Sequence, residues 1–306
     1  MSDQAGSESK PTYTESCFNY DGVKVNFAKA GNGPINLLLL HDAPGSYSID
    51  FKKQLTEFDR EKYSLVAWDA PGYGRSRPPD RDFSPGYHQR EAVWALELMK
   101  SLKLVPFSVL AYGDSGPTAL WIAYQERNTN NIDKLVLWGT SAYVSEKQFK
   151  AYSSDIRDTN LWADARRRPF VDLYGDLYFR HVWSQHCKAK LDFLSDEECK
   201  GTIISADVLS EIHQPTLLLY PEYDFYYDEE EMDDLEELLP NSGLIFCEEM
   251  YHRLHEQNFS WFQETVADFL TANQDNQWQQ VVEARKKLEQ QFYDRKQSHS
   301  DSDLDI

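Results

Sequence analysis

Asp224 and His252 each stand just beyond the end of an apolar run, TLLLY followed by PEYD and GLIFCEE followed by MYH. Upstream, SVLAYGDSGPTALWIAY carries an apolar stretch through small residues directly into a helix-like pattern, with Gly113, Asp114 and Ser115 at the bend. A strand that turns sharply into a helix lifts its central residue out of a sheet. Elbow, then acid, then histidine is one chain order in which a nucleophile, an orienting carboxylate and a base are assembled for acyl transfer. The chemistry to look for is attack on a carbonyl, with His252 moving the proton and Asp224 holding the ring. Read alone, His252 would be an ordinary surface histidine; its place after the last strand, with an acid after the preceding one, gives it the functional reading. His255, one turn further on, competes with it. Asp224 competes with the acidic run 228–237, which holds no base and reads most simply as a solvated helix face.

The elements that must bring these residues together read as an α/β fold. Apolar runs predict strands at 22–28, 35–41, 63–69, 107–112, 134–138, 216–220 and 243–247, and helical patterns at 84–102, 117–126, 229–239 and 258–272 lie between or after them. This alternation is that of a mostly parallel, twisted sheet with helices on both faces, and the nearly continuous apolar character of the central runs suits strands buried on both sides. The expected organisation is a disordered leader at 1–19, a first core segment at 20–142, a helical cap at 143–210, a second core segment at 211–272, an amphipathic helix at 273–297 and an acidic disordered tail at 298–306. The cap is inferred because the alternation lapses over a stretch crowded with Trp, Tyr and Phe that is too long for a loop; its bland alternative is a pair of crossover helices. In the C-terminal helix, Trp278, Val281, Val282, Leu288 and Phe292 fall near one face, which either packs back on the domain or is presented to a protein partner through 273–306.

A chain of 306 residues with 41% apolar and 14% aromatic residues can bury a large core, which excludes wholesale disorder. Its formal charge of −20 opposes binding to nucleic acid or to anionic membranes. Cys17, Cys187, Cys199 and Cys247 show no metal-type spacing and are expected as free thiols in a cytoplasmic protein, consistent with a leader that lacks an apolar signal segment. The histidines show no paired ligand spacing either, so no metal is expected. GNGP and PGYG read as turns rather than phosphate cradles, so no cofactor is expected.

With these residues in view, the chain resembles the α/β-hydrolases, and among them the valacyclovir hydrolase (biphenyl hydrolase-like) group. The resemblance is carried by VAWDAPGYGRSRPPDRDF at 66–83, the elbow AYGDSG, KLVLWGTSAYV at 134–144, LYGDLYF at 173–179 and the loops bearing Asp224 and His252, and it spans roughly 20–270. It implies cleavage of amino-acid esters, with Asp114 at the position that helps hold a substrate's ammonium group. It also implies an oxyanion hole built from the loop His41-Asp42-Ala43-Pro44-Gly45-Ser46 and from the N–H of Asp114. Asp42 stands where glycine is common in the wider fold, and a carboxylate beside a hole meant for an anion would weaken it unless the side chain points away.

The departure from the family lies at the elbow. Matching strand end to strand end puts Gly113 at the nucleophile position, and Ser115 takes the place of a later glycine. Taking Ser115 as an alternative nucleophile would put Pro117 where a small residue is wanted and would move the hydroxyl into the turn. Glycine at 113 accepts the strained elbow conformation without the roughly 1–3 kcal/mol that another residue would incur there. The expected function is a non-catalytic, ligand- or partner-binding pseudoenzyme of the hydrolase fold, taking a small ester or amine-bearing ligand. The alternatives are an ester hydrolase using Ser115 or a water activated by His252 and Asp224, and a different cofactor-free reaction in which the histidine is the base.

Overall fold

The computed structural model describes residues 12–272 and 277–302, those beyond 291 by backbone alone. Residues 1–11 of the expected leader, residues 303–306 of the expected tail and the side chain of Phe292 lie outside the described residues. Among the described residues eight strands form one sheet: β1 (Thr14–Tyr20), β2 (Val23–Ala30), β3 (Ile35–Leu40), β4 (Tyr63–Trp68), β5 (Phe107–Tyr112), β6 (Ile132–Trp138), β7 (Thr216–Tyr223) and β8 (Ser242–Tyr251). Their spatial order is β1-β2-β4-β3-β5-β6-β7-β8, with β1 and β2 antiparallel to their neighbours and β4 to β8 all parallel. Every residue of β4 and of β5 is buried, as strands covered on both faces must be.

Helices cover each face. On one, α1 (Tyr47–Asp50) and α2 (Lys52–Glu57) contribute Phe51 at their junction and Leu55, with α2 against β2. On the other, α3 (Tyr87–Ser101) and α4 (Gly116–Gln125) supply Ala92, Leu96 and Ile122. Between β6 and β7 the chain leaves the sheet as α5 (Glu146–Ser153), α6 (Asp164–Tyr174), α7 (Asp176–Ser195) and α8 (Ala206–Leu209). This insertion is fastened to the loops beneath it by two hydroxyls. Tyr174 accepts from the N–H of Gly74 and donates to the Gly45 carbonyl, and Tyr178 accepts from the N–H of Arg81 and donates to the Gly72 carbonyl. After β7 come α9 (Glu229–Leu238), then β8, α10 (Leu254–Gln257), α11 (Phe259–Thr271) and α12 (Gln277–Ser302).

Two sequence expectations are corrected. Residues 14–19, assigned to the disordered leader, form most of β1, paired with β2 from Thr14↔Lys29 to Tyr20↔Val23. The turn between them is Asp21-Gly22, both at positive φ as a type I′ hairpin requires. Residues 298–302, assigned to the tail, continue the backbone of α12. The early part of α12 packs back on the domain: Trp278 and Val282 are buried over Gly243 and the α11 face, Trp261 donates to Glu289, and Arg285 pairs with Asp268 at 2.6 Å.

Candidate active site

Because β3 and β5 are parallel neighbours, with Leu40 opposite Ala111, the loop after β3 and the elbow after β5 emerge side by side. At such a junction the carboxyl ends of parallel strands open a crevice. At the elbow, Tyr112 is extended, Gly113 turns to φ +58° and a short 3₁₀ turn leads into α4. Thr140 Oγ1, beyond β6, donates to the Gly113 carbonyl at 2.7 Å and pins the bend from the side. The loop after β3 is held by Asp69 at the end of β4, which accepts from Ser46 Oγ at 2.7 Å and from the N–H groups of Tyr47 and Arg75.

Asp224 and His252 meet as expected from their strand ends. Asp224 Oδ1 accepts the N–H groups of Tyr226 and Tyr227, which orients the carboxylate, and Oδ2 lies 2.9 Å from His252 Nδ1. Gly139, at φ +48° after β6, makes room for the pair, since a Cβ there would press on both His252 and Asp224. Tyr226 and Tyr227 flank the imidazole.

The other nitrogen of the imidazole meets Asp42. Its Oδ2 lies 3.1 Å from His252 Nε2, while Oδ1 accepts the Asp114 N–H at 2.7 Å, and the N–H of Ala43 lies near the same carboxylate. The carboxylate therefore points into the hole rather than away from it. It also fills the space beside Gly113, where any Cβ would collide with it. Burial pushes the Asp42 pKa up, but the hydrogen bond and positive charge of His252 and the two N–H donors outweigh it, and the group is held below the ordinary carboxylate range. Burial alone would lower the His252 pKa; the charge and hydrogen bond of Asp224, joined by those of Asp42, instead raise it to about 10. At neutral pH the ring is an imidazolium held between two carboxylates.

Ser115 lies on the other side of the bend, where its Oγ donates to the Leu40 carbonyl at 2.8 Å or to that of Tyr112 at 2.9 Å. His255 is buried beneath the floor, its ring tilted against Tyr112 and Trp138, with Nε2 3.0 Å from the Asp50 carbonyl, and burial keeps it neutral. In the run 228–237, Asp228 and Glu231 form the capping box of α9, and Glu231 and Asp234 bond Gln148 and Tyr143 of the insertion.

Asp114 turns its side chain the opposite way from its N–H, into a fully enclosed cluster. Lys190 of α7 reaches it at 2.6 Å and the Tyr87 hydroxyl at 2.9 Å, with His88 and His186 beside them. Burial raises the Asp114 pKa, but Lys190 first and then the two histidines reverse this and hold it far below the usual range. Burial also lowers His88 to about 3 and His186 to about 4, so both are neutral. Sequence reading missed Lys190, Tyr87, His88 and His186, because nothing local marks a lysine on a helix of the insertion as the partner of an elbow residue.

Outside the His252–Asp42 contact lies a cleft of about 720 Å³, walled by Trp162, Phe170, Phe225, Tyr226 and Tyr251, with Arg166 at its side and Asp42 at its floor. Beneath Asp42, a void of about 10 Å³ holds no more than about one water. Among the described residues no cluster of three or more His, Cys, Asp or Glu could hold a metal, and no helix is long and apolar enough to cross a membrane.

The chain is 35% identical over 251 residues to serine hydrolase BPHL of Mus musculus, covering 82% of this chain and 84% of that protein, and 33% identical over the same shares to serine hydrolase BPHL of Homo sapiens. It belongs to the BPHL family of serine hydrolases. No protein-family model matches it. The fold agrees with solved structures of α/β-hydrolases. A 2-hydroxy-6-oxo-6-phenylhexa-2,4-dienoate hydrolase from Rhodococcus sp. strain RHA1 aligns with a TM-score of 0.69 at 14% identity, over 84% of this chain and 98% of that one. An α/β-hydrolase fold protein from Chitinophaga pinensis aligns with a TM-score of 0.65 at 17% identity, over 86% and 98%. Within the BPHL family, this chain carries Gly113 at the elbow, Asp42 in the neighbouring loop and an enclosed Asp114–Lys190 pair.

Proposed function

We propose that this BPHL-family chain does not carry out serine acyl transfer and keeps the aromatic cleft as a binding site for small ligands. The single observation that carries this reading is Asp42, whose carboxylate joins the Asp114 N–H to His252 Nε2. An oxyanion hole works by presenting donors to the charge that develops on a substrate oxygen. Here those donors already hold an anion, and the ring that would accept a proton already carries one.

The Asp114–Lys190 pair extends the same reading. In the resembling family the carboxylate after the nucleophile holds a substrate ammonium; here an ammonium from α7 occupies it. The chain supplies its own carboxylate and its own ammonium in place of substrate groups, which argues against amine-bearing esters bound through Asp114. Ser115 as nucleophile is opposed by its two carbonyl partners. A water activated by His252 is opposed by the imidazolium, since a general base must have a free lone pair at the working pH.

The test is labelling with a serine-directed fluorophosphonate probe, combined with turnover of amino-acid esters by the full chain. No label and no turnover above buffer are expected. A label mapped to Ser115 by peptide mass spectrometry, or ester turnover lost on Ser115→Ala, overturns the proposal.

A further inference from the structure

The charged side chains that line the aromatic cleft are paired with one exception. Asp42 holds His252 at 3.1 Å, and Asp50 and Glu256 both hold Arg253, at 2.7 and 2.8 Å. The remaining charge in the lining is Arg166 of α6, which makes no ion pair among the described residues. Its neighbours on the helix differ, since Arg167 pairs with Asp176 and Arg168 with Asp172. Arg166 is nevertheless held in place. Its guanidinium carbon lies 4.1 Å from the centre of the Trp162 ring, and Nη2 donates to the Tyr226 hydroxyl at 2.8 Å. Phe170, one turn along α6, meets Trp162 edge to face at 6.0 Å. A guanidinium stacked on a ring and anchored through one N–H presents the others as a preset fork, and that fork matches a carboxylate.

We infer that the cleft takes small arylalkyl carboxylates, with the acid group on Arg166 and the ring against Trp162, Phe170 and Tyr226. The inference rests on the reading of the cleft as a ligand site and names the class of ligand. A volume of about 720 Å³ is that of an ordinary small-molecule site, and the walls are aromatic. A cationic head group has no equivalent place, because each lining carboxylate already faces a cation of the chain, and a bound ammonium would have to displace His252 or Arg253. The formal charge of −20 repels anions at a distance, but charges beyond about 8 Å are largely screened at physiological salt, so the contact with Arg166 decides.

The experiment is isothermal titration of the full chain with phenylbutyrate, phenylbutanol and phenylbutylamine, which share one body and differ in head group. The carboxylate is expected to bind at least about tenfold more tightly than the alcohol or the amine. Arg166→Gln, at an exposed side chain, is expected to remove that advantage while leaving the affinity for the alcohol and the melting temperature as they were. Arg166→Lys keeps the charge but not the fork, and should restore only part of the advantage. Equal or tighter binding of the alcohol or the amine, or a carboxylate affinity untouched by Arg166→Gln, overturns the inference while the cleft remains a ligand site. No binding of any of the three overturns the inference together with the ligand-binding reading beneath it, and fluorophosphonate labelling tests ester silence separately from both.

Discussion

At the residue scale, the site turns on one glycine and one carboxylate that occupy each other's space. A serine restored at 113 alone would set its Cβ against Asp42 at a positive φ that already disfavours side chains. Gly113→Ser is therefore expected to be less stable by about 1–3 kcal/mol in urea denaturation and to gain no esterase activity. The double variant Gly113→Ser, Asp42→Gly removes the collision and empties the hole; it is expected to label with a fluorophosphonate probe at least about tenfold faster than the single variant, because contacting sites couple strongly. The imidazolium supplies a second prediction. His252 has a folded pKa of about 10 against an unfolded value near 6.5, so the folded chain holds the extra proton between them. Its contribution to stability is complete below the unfolded value and is lost as pH rises through about 10. NMR of the ring carbons should show no titration of His252 between about pH 6 and 8, whereas Asp42→Asn, with one flanking charge gone, should bring the midpoint down. The sequence disclosed Asp224 and His252 because strand ends are visible as the ends of apolar runs. It did not disclose where Asp42 points, since direction depends on the donor at Asp114 and the charge at 252.

At the scale of elements, the strands most visible in the sequence are those buried on both faces, where burial demands an unbroken apolar run. β1 escaped because most of its side chains are exposed, and only the Asp21-Gly22 pair, a hairpin signal in the right place, pointed to it. α1 and α2 escaped because four and six residues are too few for a helical period to register. The insertion was legible as helices, but its tie to the elbow was not. Lys190→Met leaves Asp114 buried without its cation, and is expected to cost about 3–5 kcal/mol in chemical denaturation, as breaking a buried pair does. Asp114→Asn together with Lys190→Met should recover part of that loss, which a double-mutant cycle would measure.

At the scale of the molecule, the sheet gathers the carboxyl ends of β3, β5, β7 and β8 along one edge, and α12 closes a flank far from it. Trp278→Ala should lower stability by about 3–5 kcal/mol, read from the denaturation midpoint, without altering the titration of His252. The acidic excess of the chain is spread over faces such as α9, where part of it serves caps and contacts to the insertion. The hydroxyls of Tyr174 and Tyr178 carry a consequence at this scale. Each both gives and receives a hydrogen bond across the seam between insertion and core, so the roof cannot swing without releasing four bonds at once, in addition to the Lys190 bridge. Solutes then meet Asp42 in the cleft as it stands, with Phe225 and Tyr251 among its walls, and amide deuteration of the roof helices should keep pace with that of the floor they cover.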